Sequence, residues 1–156
     1  EGPHAFSAFT ASVLQLRPES VGHLKLVSAN IDDHPEIHPN YLAAEMDQIT
    51  IVKGIQIARK IAQFEPLKSH ITEEYQPGHA VAMDDYDATL NWARNTAVTI
   101  YHPTGTCKMG SDPMAVVDHR LRVHGLRGLR VADASIMPVI TSGNTNAPAI
   151  MIGEKV

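Results

Sequence analysis

Between residues 44 and 64 apolar side chains return every three or four positions: Met46, Ile49, Val52 and Ile55, with Ile51, Ala58 and Ala62 beside them. That period predicts an amphipathic helix. Glu45 and Asp47 lie early in it and Lys53, Arg59 and Lys60 late, as the helix dipole favours. A second helix is predicted from an Asp84 or Asp85 cap through about residue 94, burying Leu90, Trp92 and Ala93. Alternation replaces this period elsewhere. Phe6, Phe9, Ala11, Val13, Leu14 and Leu16 interleave with serine and threonine, residues 17–22 turn the chain, and Leu24 and Leu26 share one face of 23–28. Together these predict an antiparallel pair. Residues 98–101 predict a strand leading into His102. Two short strands at 121–123 and 129–132 predict a hairpin, with Gly125 and Gly128 in the turn. The apolar stretch from about Ala147 predicts a buried helix, with Pro148 in its first turn.

The segments between these elements read as loops. Pro35 and Pro39 break residues 29–40 and push the histidines before them towards extended geometry. His34 and His38 therefore read as solvated loop histidines rather than a metal pair on a helix. Residues 65–83, with Pro66, Pro77 and Gly78, are irregular. Mixed helices and antiparallel strands place the chain in the α+β class.

Composition narrows the functions available. The chain has 156 residues, 44% of them apolar, and a net charge of −4 from 13 basic and 17 acidic residues. No basic run marks a nucleic-acid footprint. No apolar run approaches the roughly 18 residues of a membrane span. The start, Glu1-Gly2-Pro3-His4, carries no signal-peptide pattern. A single cysteine, Cys107, allows no internal disulfide. The last residues, 151–156, sit within an apolar helical pattern and lack a C-cap, so a longer parent protein is expected.

The chemistry concentrates late in the chain. His102 ends the strand expected at 98–101, and Pro103 constrains it. With an ordinary pKa of about 6.5, a histidine so held can exchange a proton near neutrality. Alone, it reads more simply as a structural histidine. Gly105 and Gly110, just beyond it, permit close backbone approach to something flat or bulky. In Ser142-Gly143-Asn144-Thr145-Asn146-Ala147-Pro148 the two asparagines either cap the helix that follows or present one amide to a substrate oxygen. The N-terminus of that helix suits a group that becomes anionic. Asp133, at a strand end, is either a turn residue or a cofactor ligand. No His-Glu-x-x-His spacing occurs, so a metal-dependent hydrolase is not expected and no metal ligands are assigned.

These residues resemble the glucose–methanol–choline (GMC) family of flavin oxidoreductases, most closely its bacterial choline-dehydrogenase-type alcohol dehydrogenases. Tyr101-His102-Pro103-Thr104-Gly105-Thr106-Cys107-Lys108-Met109-Gly110 is similar to the family's histidine segment. The stretches 116–125 and 128–138, then Gly143-Asn144-Thr145-Asn146 and 151–155, follow in the family's order. Leu16-Arg17-Pro18-Glu19-Ser20 and Asn40-Tyr41-Leu42 resemble its substrate-domain strands. Val21 and His119 depart from the pattern, where a basic residue and a proline are usual.

The resemblance implies FAD as cofactor and oxidation of a primary alcohol to an aldehyde by hydride transfer to flavin N5. His102 and Asn144 would be the catalytic pair facing the flavin, with Asn146 the alternative to Asn144 if the register slips by two. Tyr101, Asp133, Ala134, Asn146 and Ala147 would touch the FAD. The family's Gly-x-Gly-x-x-Gly is absent. Residues 1–98 are therefore expected to be part of the substrate-binding domain, an antiparallel sheet with packed helices. Residues 99–156 would carry the active-site segment and the C-terminal strand and helix elements of the FAD-binding domain. The partners implied are a small alcohol and the N-terminal FAD-binding portion of the same protein; without that portion little activity or FAD binding is expected. Resemblance to bacterial enzymes makes the cytoplasm the expected compartment. The competing reading is a non-catalytic binding module on the same fold.

Overall fold

The computed structural model describes residues 4–156; the opening Glu1-Gly2-Pro3 lies outside the described residues. The described residues form three α-helices and one two-stranded antiparallel sheet: β1 (His23–Lys25), β2 (Glu36–His38), α1 (Glu45–Ile61), α2 (Tyr86–Thr96) and α3 (Asn146–Glu154). No described helix is long and apolar enough to cross a membrane. The chain divides into two compact units. One joins Leu42–Ala97 to the chain up to Gln15; the other joins Leu16–Tyr41 to Val98–Val156.

In the first unit α1 packs against α2. Val52 of α1 and Thr89 of α2 are fully buried, Leu90 and Ala93 of α2 are buried, and Trp92 is only half-buried. Asp85 caps α2 by accepting from the Ala88 N–H at 2.9 Å, and the Thr89 hydroxyl donates back to the Asp85 carbonyl at 2.6 Å. Residues 4–14 form no strand. Val13 lies against Gly54 of α1, and Gln15 Nε2 donates to the buried Asp47 carboxylate at 3.4 Å. Arg59 anchors the irregular segment beyond α1 through a two-pronged pair with Glu74, both contacts 2.7 Å.

The second unit opens on the sheet. The expected pairing of 4–16 with 23–28 is replaced by β1 with β2, in register His23 to His38, Leu24 to Ile37 and Lys25 to Glu36. Pro35 and Pro39 bracket β2 and hold the residues before them extended, which favours a strand of three rather than a loop. The His23 and His38 rings stack with centroids 4.6 Å apart. Gly22 is required there, because a Cβ would collide with the His38 carbonyl oxygen.

The rest of this unit is a mat of short segments joined by single backbone bonds. The N–H of Cys107 donates to the Ser135 carbonyl (2.9 Å), that of Met109 to Ile136 (2.8 Å) and that of Gly110 to Val117 (3.0 Å). The N–H of His124 donates to Val116, that of Val123 to Leu129 and that of Val131 to Leu121, at 3.0–3.1 Å, so the predicted hairpin forms. Gly125 and Gly128 both take positive φ in its turn. Val117, Ile136, Met137 and Ile152 are the buried centre, with Met109, Leu121, Val123 and Val131 packed around them. Only Ile152 of α3 is buried; Ile150 and Met151 are half-exposed, so the helix expected to be buried docks here by one edge.

Asp118 locks the base of the hairpin. Its carboxylate accepts from the backbone N–H of Arg120 (2.8 Å) and Arg122 (3.0 Å) and from Arg122 Nε (2.9 Å). The Arg122 guanidinium, with these N–H groups, holds the carboxyl well below the usual carboxylate range. A depressed folded-state pKa stabilises the fold fully above the unfolded value of about 3.9 and is lost as pH falls through the folded one. Asp118→Asn is therefore expected to lower the melting temperature at pH 7. The difference should shrink below about pH 4, which melts across that range will measure.

Candidate functional site

His102 lies half-buried in the second unit, and its placement is local. The strand expected at 98–101 does not form. Tyr101 instead takes φ +65°, the left-handed region that a bulky residue rarely enters, and its ring is 81% exposed. Its N–H is held by the Thr99 hydroxyl at 3.1 Å. Beyond His102, Gly105 turns the chain at φ +86°, and a Cβ there would press on the Met137 carbonyl oxygen at 3.2 Å. Bonds from Cys107 and Met109 then fix the segment to Ser135 and Ile136. A histidine between a left-handed residue and a glycine turn, with its far end bonded into the mat, has little freedom of position.

The side chain that meets His102 belongs to Thr145. His102 Nδ1 and Thr145 Oγ1 are 2.8 Å apart, and Thr145 is only 7% exposed. Thr145 is the N-cap residue of α3, so the histidine segment and the start of α3 come together. Asn144 and Asn146, on either side, are exposed. The helix begins at Asn146, one residue earlier than its apolar pattern indicates.

Asp133 is exposed and caps the short 3₁₀ turn Ala134–Ile136, accepting from the Ser135 N–H at 2.7 Å. The Ser135 hydroxyl and N–H hold its carboxyl below the usual range. Ala134 is half-buried beside it and Ala147 is exposed on the first turn of α3. Two open depressions, of about 460 and about 470 Å³, lie on the hairpin and beneath α3, and neither is lined by His102, Asn144 or Asp133. Among the described residues no cluster of three or more histidine, cysteine or acidic side chains is arranged to hold a metal. Thr145 is the residue that sequence reasoning left without a role. The one sequence signal was Pro148, three positions on, which removes one of the two N–H groups that a capping hydroxyl ordinarily accepts from.

A GMC oxidoreductase family model matches residues 18–153. The chain belongs to the GMC oxidoreductase family. Its relatives within that family include an alcohol dehydrogenase (acceptor) of Pseudomonas putida, 49% identical over 94% of this chain and 26% of that protein. The mitochondrial choline dehydrogenase of Mus musculus is 47% identical over 98% of this chain and 26% of its own length. Among solved structures, an FAD-dependent oxidoreductase from Chaetomium thermophilum superposes with a TM-score of 0.81 at 27% identity, over 89% of this chain and 24% of that one. The chain thus spans about a quarter of the length of the GMC relatives it matches.

Proposed function

We propose that this sequence is the C-terminal part of an FAD-dependent oxidoreductase that oxidises a primary alcohol to an aldehyde, and that it carries the histidine side of the active site. The observation that carries the reading is the His102–Thr145 contact, which sets a half-buried histidine at the start of α3 in a chain of the GMC family.

The residues at this helix start fit a flavin. Thr145 makes no side-chain cap, Pro148 has no N–H, and Asn146 and Ala147 are exposed. Backbone donors and the positive end of the helix dipole are therefore open to an acceptor edge. Asn146, Ala147, Tyr101, Asp133 and Ala134 would hold the cofactor. When bound, the flavin supplies the acceptor for the carbinol hydride. His102 takes the alcohol proton at Nε2, the ring nitrogen that Thr145 leaves open. The Asn144 amide, exposed beside Thr145, donates to the substrate oxygen and steadies the charge that develops there.

The test is anaerobic mixing of the complete FAD-bound protein with a panel of primary alcohols that includes choline. Bleaching of the oxidised flavin by at least one member is expected. An unbleached flavin across the panel overturns the reading.

A further inference from the structure

We infer that Thr145 is a positioning residue for His102: its hydroxyl keeps the imidazole proton on Nδ1 and so leaves the lone pair on Nε2. The direction of that bond and its consequence in turnover rest on the functional reading above; the contact itself does not.

The inference starts from a capping position that does not cap. An N-cap threonine ordinarily takes extended backbone angles and accepts from the N–H of the second or third helical residue. Thr145 has φ −90° and ψ −4°, which is helical, and makes no side-chain cap. The third helical residue is Pro148, which has no N–H to give. Yet the Thr145 side chain is buried, and a buried hydroxyl needs a partner. Its partner is His102 Nδ1, at 2.8 Å. At this helix start the threonine hydroxyl thus meets a ring nitrogen in place of a backbone N–H.

The direction of the bond follows from what the ring must do. If Nδ1–H donates to Oγ1, the same bond serves the neutral ring and the ring that has gained a proton on Nε2. If the hydroxyl donated to Nδ1 instead, Nε2 would already carry the proton and could not accept another. The bond on one ring nitrogen decides which form the other takes.

The experiment uses the complete FAD-bound protein, labelled with ¹⁵N in histidine, with the His102 signals identified by their loss in His102→Gln. In the neutral ring of the wild type, Nδ1 is expected to be protonated and Nε2 not. Thr145→Val should convert this to a mixture of tautomers and lower kcat about tenfold, the size of one net side-chain hydrogen bond, with little change in KM. Thr145→Ser should restore both the tautomer and most of kcat. A wild-type ring protonated on Nε2, or a Thr145→Val ring with an unchanged tautomer, overturns the inference. The wild-type spectrum decides the point even if the valine variant fails to fold. If no alcohol reduces the flavin, the functional reading fails, while the spectrum still judges the hydrogen bond.

Discussion

His102→Ala is expected to lower alcohol-dependent flavin reduction by roughly 10²–10⁴-fold in the complete protein, the range for loss of a general acid–base group. That corresponds to about 3–5.5 kcal/mol of transition-state stabilisation. Little else in the substitution produces so large a loss. The ring is held by one side-chain bond, to Thr145, and the backbone on either side is fixed independently by the Tyr101 turn and the Cys107 and Met109 bonds. The alanine variant should therefore keep its fold and its flavin. It should lose about 1–3 kcal/mol of stability, because the buried Thr145 hydroxyl is left without its partner. Stopped-flow reduction, with FAD content read from absorbance, checks both parts. Near-normal reduction with flavin retained would remove His102 from the chemistry.

The second large effect is structural. Val117 is fully buried among Ile136, Met137 and Ile152, and bridges both Met109 and Val123. Val117→Asp would place a carboxylate in that cluster with no cation beside it, at a cost of several kcal/mol. Against a typical total stability of 5–15 kcal/mol, that is enough to unfold the mat. The expected result is loss of the urea unfolding transition and of near-ultraviolet circular dichroism, accompanied by loss of the His102 site. The 107–110 segment would lose its bonded neighbour at Val117. An unfolding midpoint within error of wild type would show that Val117 is not central to the unit.

How much of this was legible in the chain differs from element to element. The helices α1 and α2 were, because period and an aspartate cap act within a few residues of each other. The hairpin was legible because Gly125 and Gly128 mark its turn. The partner of β1 was not, since Pro35 and Pro39 look like breakers although they also hold β2 extended. Residues 98–101 carry strand-forming side chains, but their backbone turns left-handed at Tyr101, which no β-branched pattern announces. Within its unit α3 meets the core only by the Ile152 edge, because its apolar content is spread around the helix. At the candidate site the two asparagines drew the eye, since amides and helix caps are familiar donors. The hydroxyl between them meets His102 and makes no cap.

The left-handed turn at Tyr101 has a consequence for chain length. Residues 97–101, immediately upstream of His102, have no strand register to slip, so an inserted or deleted residue there can be taken up by irregular backbone. Downstream, the N–H bonds of Cys107 and Met109 fix the count of residues between the histidine and the mat. His102 is therefore located from its C-terminal side. Changing the spacing between 102 and 107 by one residue would carry the ring away from Thr145, whereas the same change before Thr99 would leave it in place.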